Sequence, residues 1–228
     1  SKENWQTVIP HREEIYLLAT EAFIDHLIID EMEDGIPKLR VYKFSTGEEH
    51  YVSFPESVYG LGGASNPEFN TNIFRFSYTS FVTPNSIFDY NLDTKGRELK
   101  KETPVLGGYD HTQYISERLY ATASDGTAIP ISLVYKKGIK KNGANPFLLT
   151  GYGSYGFHYT VNFSSIRLSL LNRGVVYAIA HIRGGSEKGR KWYEEGKLLH
   201  KKNTFTDFIS CAEHLIQDQW TSPQHLAI

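Results

Sequence analysis

The chain has a single cysteine among its 228 residues, which excludes an internal disulfide and any thiolate-built zinc site. Cys211 falls within an apolar helical pattern and reads as a small core residue; the scarcity of thiols fits a reducing, cytoplasmic compartment. No window approaches the roughly 18 consecutive apolar residues that a membrane helix needs, so no membrane partner is expected. The opening SKENWQTVIP has neither the basic nor the apolar region of a signal peptide, and a start at serine suggests a processed or trimmed chain. Charge of one sign is missing as well. With 24 Lys and Arg against 26 Asp and Glu, a formal charge of −2 and no basic run, the chain lacks the electrostatic footprint of a nucleic-acid binder. Its nine histidines are scattered, with no H-E-x-x-H or other ligand spacing. Neither a metal nor a cofactor is expected.

What is present changes character near Gly107. Before it, short strand-like runs alternate with turns. EIYLLATEAF and DHLIIDEM are followed by a turn at Asp34-Gly35, then KLRVYKF, a turn at 45–47 and EEHYVSF. A Gly/Pro-rich connector at 59–67 leads to a second set, NIFRFSYTSF, SIFDYNL and ELKKETPV. Two up-and-down meanders in tandem suggest sandwich or propeller construction; a closed propeller needs about 4 to 8 four-stranded blades, and this material makes about two.

After Gly107 a hairpin, ERLYATAS and AIPISLVYKK around Asp125-Gly126, precedes the apolar strand FLLTGY and a Gly-rich loop. A helix is expected over 163–172, ended by Gly174 as a left-handed cap. VVYAIAHI is apolar at nearly every position, as in a central strand buried on both faces. A second helix is expected to start near Asn203, with Thr204 and Asp207 at capping-box spacing. This alternation predicts a predominantly parallel α/β sheet, and SPQHLAI supplies the first residues of another strand.

The chemistry such a sheet usually carries is harder to find. A nucleophile elbow, G-x-S-x-G, is absent. The nearest match, 184–188, places Lys188 where the tight turn needs a small residue, so Ser186 reads as a loop serine. His181 stands at the carboxyl end of a central strand, where α/β sites open, yet it reads better as a structural or hydrogen-bonded histidine. The loop GYGSYG at 151–156 fits G-x-G-x-x-G after a strand. A dinucleotide site would also require an acid about 20 residues on; 157–186 contains no Asp or Glu. A loop in this place can instead supply part of an oxyanion hole, with a tyrosine hydroxyl as donor. Equally, its tyrosines can be amphipathic packing residues beside a flexible turn. The residues alone leave these two readings open.

FLLTGYGSYG, RGVVYAIAHIRGGSEKGRKWYEEGKLLHKKNTFTDFISCAEHLI and WTSPQHLAI together resemble the catalytic domain of the prolyl oligopeptidase family of serine peptidases. NPEFNTNIFRFSYTSFVTPNSIFDYNLDT, VLGGYDHTQYISERLYATASDGTAIPISLVYKKG and the GYGSYG loop resemble its oligopeptidase B branch more than its proline-specific branch. The resemblance runs from about Glu14 to the end of the chain. It implies a mixed fold: the last blades of a β-propeller over 1–108, then the amino-terminal half of an α/β-hydrolase domain over 109–228. It further implies cleavage of short peptides, after Arg or Lys, through a Ser-His-Asp triad. In the family the segment matching HLAI continues into the nucleophile elbow, so the triad is expected beyond Ile228. The chain by itself is then expected to be inactive, and to need the remainder of the same protein to complete its fold.

Carried over residue by residue, the resemblance makes Tyr152 the oxyanion donor and Tyr155 an aromatic bordering the first specificity pocket. Two acids that help bind a second basic residue in the oligopeptidase B branch fall on Thr160 and Asn162. Both carboxylates are absent here, which argues against a strong preference for paired basic residues. No catalytic role attaches to Arg183 or Glu187, which are expected to order a loop at the domain interface. Three other functions compete: post-proline cleavage, a non-catalytic propeller module that recruits a partner, and nucleotide binding at 151–156.

Overall fold

The computed structural model describes residues 2–228. Its first sheet joins β1 (Ile15–Ala22), β2 (His26–Glu33), β3 (Ile36–Lys43) and β4 (Glu49–Tyr51) as an antiparallel meander in sequence order. Asp34 and Gly35 connect β2 to β3 with φ of 52° and 74°, the left-handed pair of a two-residue hairpin turn whose twist matches that of its strands. The second sheet is built in the same way from β5 (Tyr59–Gly63), β6 (Ile73–Ser80), β7 (Ser86–Asn91) and β8 (Arg97–Glu102). The first strand of that sheet departs from the sequence reading, which takes 59–67 as a connector. Gly60 has a tertiary reason to be there: a Cβ at that position would lie 2.4 Å from the Val161 carbonyl oxygen. The two meanders pack face to face over one aromatic core that includes Phe23, Leu39, Val41, Phe74, Phe76 and Tyr78.

The remaining strands are β9 (Tyr114–Thr122), β10 (Ala128–Lys136), β11 (Phe147–Thr150), β12 (Val176–Ala180) and β13 (Leu226–Ala227), in spatial order β13-β11-β12-β10-β9. The expectation of a predominantly parallel sheet is corrected. β11 runs parallel to β12 and β13, but β10 is antiparallel to both β9 and β12. The β9–β10 hairpin fixes two neighbouring strands as antiparallel, and helical crossovers make parallel pairs only after it.

Each face of this sheet has its own cover. Val176, Ala178 and Ala180 of β12, with Ile129, Ile131 and Leu133 of β10, meet Cys211 and Leu215 of α3 (Lys202–Gln217). Burying each of the larger aliphatic side chains contributes about 1.5–3 kcal/mol. Tyr177, Ile179 and Val134 point the other way, toward Leu171 of α1 (Ser165–Leu171) and toward Val58 and Phe81 of the second meander. Two covers explain why β12 is apolar throughout. Helix α1 begins at Ser165, two residues later than expected, because Ser164 is its N-cap and accepts from the Arg167 amide at 3.3 Å. Gly174, at φ 82°, ends it as predicted. The six-residue helix α2 (Gly189–Glu194) was not read from the sequence.

Candidate active site

The loop 151–156 leaves the carboxyl end of β11, in the middle of the parallel part of the sheet, where sites in α/β proteins open. It does not run into a helix. A segment without regular secondary structure, 157–164, separates it from α1, so the loop does not itself open a helix as a phosphate-binding turn does. Its glycines serve packing instead. Gly153 has φ of 58°, and a Cβ there would lie 2.6 Å from Ile182 Cγ1 and 2.7 Å from Thr204 Cγ2. Opposite it, a Cβ on Gly184 would lie 2.1 Å from the Gly153 carbonyl oxygen. The loops 151–156 and 183–186 therefore lie back to back, joined by a bond from Gly156 N to Gly184 O at 2.9 Å.

This packing turns the tyrosines outward. Tyr152 is 49% exposed and Tyr155 88% exposed, with Tyr155 itself at φ 57°. The ring of Tyr152 meets the ring of Phe157 edge-on, with 5.7 Å between centroids. Among the described residues its hydroxyl has no hydrogen-bond partner, so it is free to donate to a ligand. Thr160 and Asn162 lie on segment 157–164, which is packed against the second meander: Phe163 N donates to Thr79 Oγ1 at 3.0 Å. The Asn162 side-chain oxygen accepts from Arg167 Nη2 at 3.4 Å, and the Arg167 guanidinium sits 4.2 Å over the Tyr177 ring.

Behind the loop is a buried polar network that sequence reasoning largely missed. Arg183 N and Nε donate to Asp207 Oδ2 at 3.0 and 2.9 Å, and Arg183 Nη2 to Asp207 Oδ1 at 2.6 Å. Arg183 Nη1 donates to Asp125 Oδ2 at 2.6 Å. The guanidinium consequently stays charged, its pKa raised mainly by the Asp207 bonds, while its bond to Asp125 holds that carboxyl down at about 2. Thr204 Oγ1 donates to Arg183 O at 2.8 Å. Thr204 and Asp207 thus do not form the predicted capping box, since α3 begins at Lys202 and both residues lie inside it. A signal was available: with Cys211 and Leu215 they occupy one stripe at helical spacing. Polar residues on a core-facing stripe require buried partners.

The other candidates fall away from the site. Ser186 is 1% exposed and its hydroxyl lies 3.4 Å from His158 Nδ1, which suits a structural loop serine. His181 is fully buried, with Nε2 2.8 Å from Ser132 Oγ. Burial and, secondarily, the Arg118 cation push its pKa down. Burial likewise pushes the Cys211 thiol up, away from the reactive thiolate. Among the described residues no cluster of three His, Cys, Asp or Glu could hold a metal ion, and no helix is long and apolar enough to cross a membrane.

Of the two residues expected to order a loop at the domain interface, Glu187 does so, whereas Arg183 bonds only within 109–228. Glu187 Oε1 accepts from Tyr159 N at 3.0 Å, and its carbonyl accepts from Gly35 N, in the first meander's hairpin turn, at 2.7 Å.

Four-stranded antiparallel blades followed by a mixed sheet with helices on both faces define a β-propeller joined to an α/β-hydrolase-type domain. Residues 1–103 match the model of the prolyl oligopeptidase N-terminal β-propeller domain, and 161–228 match that of the prolyl oligopeptidase family. The chain belongs to this family. It is 42% identical over all 228 of its residues to dipeptidyl aminopeptidase BI of Pseudoxanthomonas mexicana, of which it covers 31%. Over 96% of its length it is 40% identical to protease 2 of Moraxella lacunata, covering 32% of that protein. The structure of oligopeptidase B from Trypanosoma brucei, with covalently bound antipain, superposes with a TM-score of 0.88 and 36% identity over 96% of this chain and 32% of that one. The chain thus spans about a third of the length of these relatives.

Proposed function

We propose that the protein carrying this chain is a cytoplasmic serine-type oligopeptidase that cleaves short peptides after Arg or Lys. The propeller part is 1–108 and the peptidase part 109–228, and the latter works only with the remainder of the same protein. The observation that carries the reading is that two successive parts of the chain match the two domains of one peptidase family, in the family's order. Peptide hydrolysis passes through an acyl-enzyme formed by a Ser-His-Asp triad in residues that this sequence does not contain. Tyr152 supplies what the chain itself contributes: a hydroxyl donor to the oxyanion of the tetrahedral intermediate, where negative charge develops. Its half-exposed ring and unpartnered hydroxyl support that role. Tyr155 borders the primary specificity pocket, and Thr160 and Asn162 face the next subsite.

The complete gene product is expected to hydrolyse a chromogenic amide after arginine and to be inactivated by a serine-directed organophosphate. Failure in both would remove the reading. Tyr152→Phe is expected to lower kcat by about 10² to 10³, the effect of losing one oxyanion donor; an unchanged kcat sinks the role of Tyr152.

A second reading has its own support. The 42% identity to a dipeptidyl aminopeptidase favours release of dipeptides from free amino termini. Comparing a dipeptide anilide with a free amino group against the same compound blocked at nitrogen separates the two. Preference for the free amine supports the aminopeptidase reading, and preference for the blocked compound supports the endopeptidase.

A further inference from the structure

We propose that Lys201 is a positioning residue for the oxyanion donor, its ammonium group clamping the main chain of the loop that carries Tyr152. The proposal rests on the reading of Tyr152 as that donor. A hydroxyl that stabilises an oxyanion must be held in place, because a misplacement of about 1 Å costs on the order of 10²-fold in rate. Loop 151–156 cannot hold itself. Three of its six residues are glycine, and both of its large side chains are turned to solvent.

Lys201 adds a charged restraint to the packing against 183–186. Its Nζ donates to Gly153 O at 2.6 Å, to Ser154 Oγ at 2.6 Å and to Thr204 Oγ1 at 3.2 Å. All three protons of the ammonium are therefore used, two of them on the residues that directly follow Tyr152. Thr204 Oγ1 also lies 3.2 Å from Gly153 O, but it has one proton, and its shortest contact is to Arg183 O at 2.8 Å. Gly153 O is thus left to Lys201.

The placement of this lysine works against the helix that bears it. Lys201 is the N-cap of α3 and makes no side-chain capping bond, and the first turn contains no acidic residue. N-caps favour Ser, Thr, Asp or Asn, and cations are disfavoured at the positive end of a helix dipole. Among the described residues Lys201 makes no ion pair, and burial lowers its pKa rather than a partner raising it. A cation set at the unfavourable helix end, with only neutral oxygens as hydrogen-bond partners and the Phe205 ring 5.9 Å away, marks a position where local preference yields to a site. Charge-assisted bonds, about twice as strong as neutral ones, then go to the loop.

The test uses the full-length enzyme and a chromogenic arginine substrate, with Lys201→Met, Tyr152→Phe and the double variant. Lys201→Met retains the stem and removes the donors. It is expected to lower kcat by about 10-fold to 10²-fold with KM within about threefold, and to lower it less than about twofold further once Tyr152→Phe is present. A wild-type kcat in Lys201→Met, an effect confined to KM, or two effects that simply multiply overturns the proposal while Tyr152→Phe still reports on the donor. If Tyr152→Phe alone leaves kcat unchanged, the donor assignment fails and takes the clamp with it. Should Lys201→Met not fold, Lys201→Arg carries the comparison. It keeps the charge but its flat fork cannot converge on the same three oxygens, so a severalfold drop in kcat at unchanged KM is expected, and wild-type kinetics overturn the clamp.

Discussion

Asp207→Asn tests whether the buried ion pair behind the loop stabilises the fold as its geometry implies. Asp207 is completely buried, and Arg183 is 3% exposed. The aspartate accepts the Arg183 main-chain N–H and two guanidinium bonds, so the amide would set an N–H group against these donors. Breaking a buried pair on one side costs about 3–5 kcal/mol, mostly for the charge left behind. Here the cation keeps Asp125, which is 47% exposed at its side chain; this places the expected loss near the low end, about 3 kcal/mol. Replacing both partners by Arg183→Met with Asp207→Leu removes the stranded charge. Asp125, half exposed, turns to water, and the main-chain N–H of residue 183 is left buried without its acceptor, a loss of about 1–3 kcal/mol. Urea denaturation of the full-length protein followed by circular dichroism, compared at equal m values, should therefore rank wild type above the double variant and the double variant above Asp207→Asn. A single variant within 1 kcal/mol of wild type, or a double variant less stable than the single, would refute the reasoning.

Gly153→Ala is expected to displace the loop, since its Cβ meets Ile182, Thr204 and the Arg183 carbonyl within 2.8 Å at a left-handed φ. Gly63→Ala, where a Cβ meets nothing within 4 Å, is the control, and equal activity losses in the two would contradict the docking of the loops. His181 sets a pH limit. Its folded pKa lies below the ordinary 6.5 because of burial first and Arg118 second, with Glu187 and Asp34 opposing. A base whose folded pKa is depressed contributes stability that is full above the unfolded pKa and is lost as pH falls below about 6.5. His181→Gln should flatten that acid limb of the melting-temperature profile; an unchanged limb assigns it to other groups.

The limits of sequence reading lie where tertiary contact dictates a residue that locally signals something else. Tyr59-Gly60-Leu61-Gly62-Gly63 carries turn chemistry, yet it pairs with β6 as a strand, and residue 60 is glycine because Val161 passes too close for a side chain. Six residues of α2 are too few to display a 3.6-residue period. Thr204 and Asp207 match a local capping motif but are used for long-range bonds. By contrast, β12 was legible because two-sided burial writes itself into every position, and the Asp34-Gly35 turn because its backbone conformation admits few residue types. At the loop, the sequence offered a phosphate cradle and an oxyanion loop as alternatives. That 151–156 does not lead directly into a helix, and that its glycine side is filled by Ile182, Thr204 and Gly184, favour the second, and neither feature is encoded within the motif itself.

The Asp34-Gly35 turn also shows how the two halves of the molecule are joined. Local strand geometry requires two left-handed residues at this point; the side chain and carbonyl they present are then taken up by the neighbouring sheet. Arg118 donates to Asp34 O and, at 2.7 Å, to Ser132 Oγ, and Tyr120 donates to Asp34 Oδ2 at 2.6 Å. Lys188 Nζ lies 3.8 Å from Asp34 Oδ1. With His181 neutral, the two cations Arg118 and Lys188 balance the two anions Asp34 and Glu187. Withdrawal of the blade would take Asp34 from Arg118 and leave it the Ser132 hydroxyl, the Tyr120 ring and the Glu187 charge. Glu187 carries the connection onward, since its main chain accepts from Gly35 while its carboxylate accepts from Tyr159, two residues beyond the Phe157 ring that braces Tyr152. The hairpin turn of the first blade and the candidate oxyanion donor are thereby linked through one buried acid.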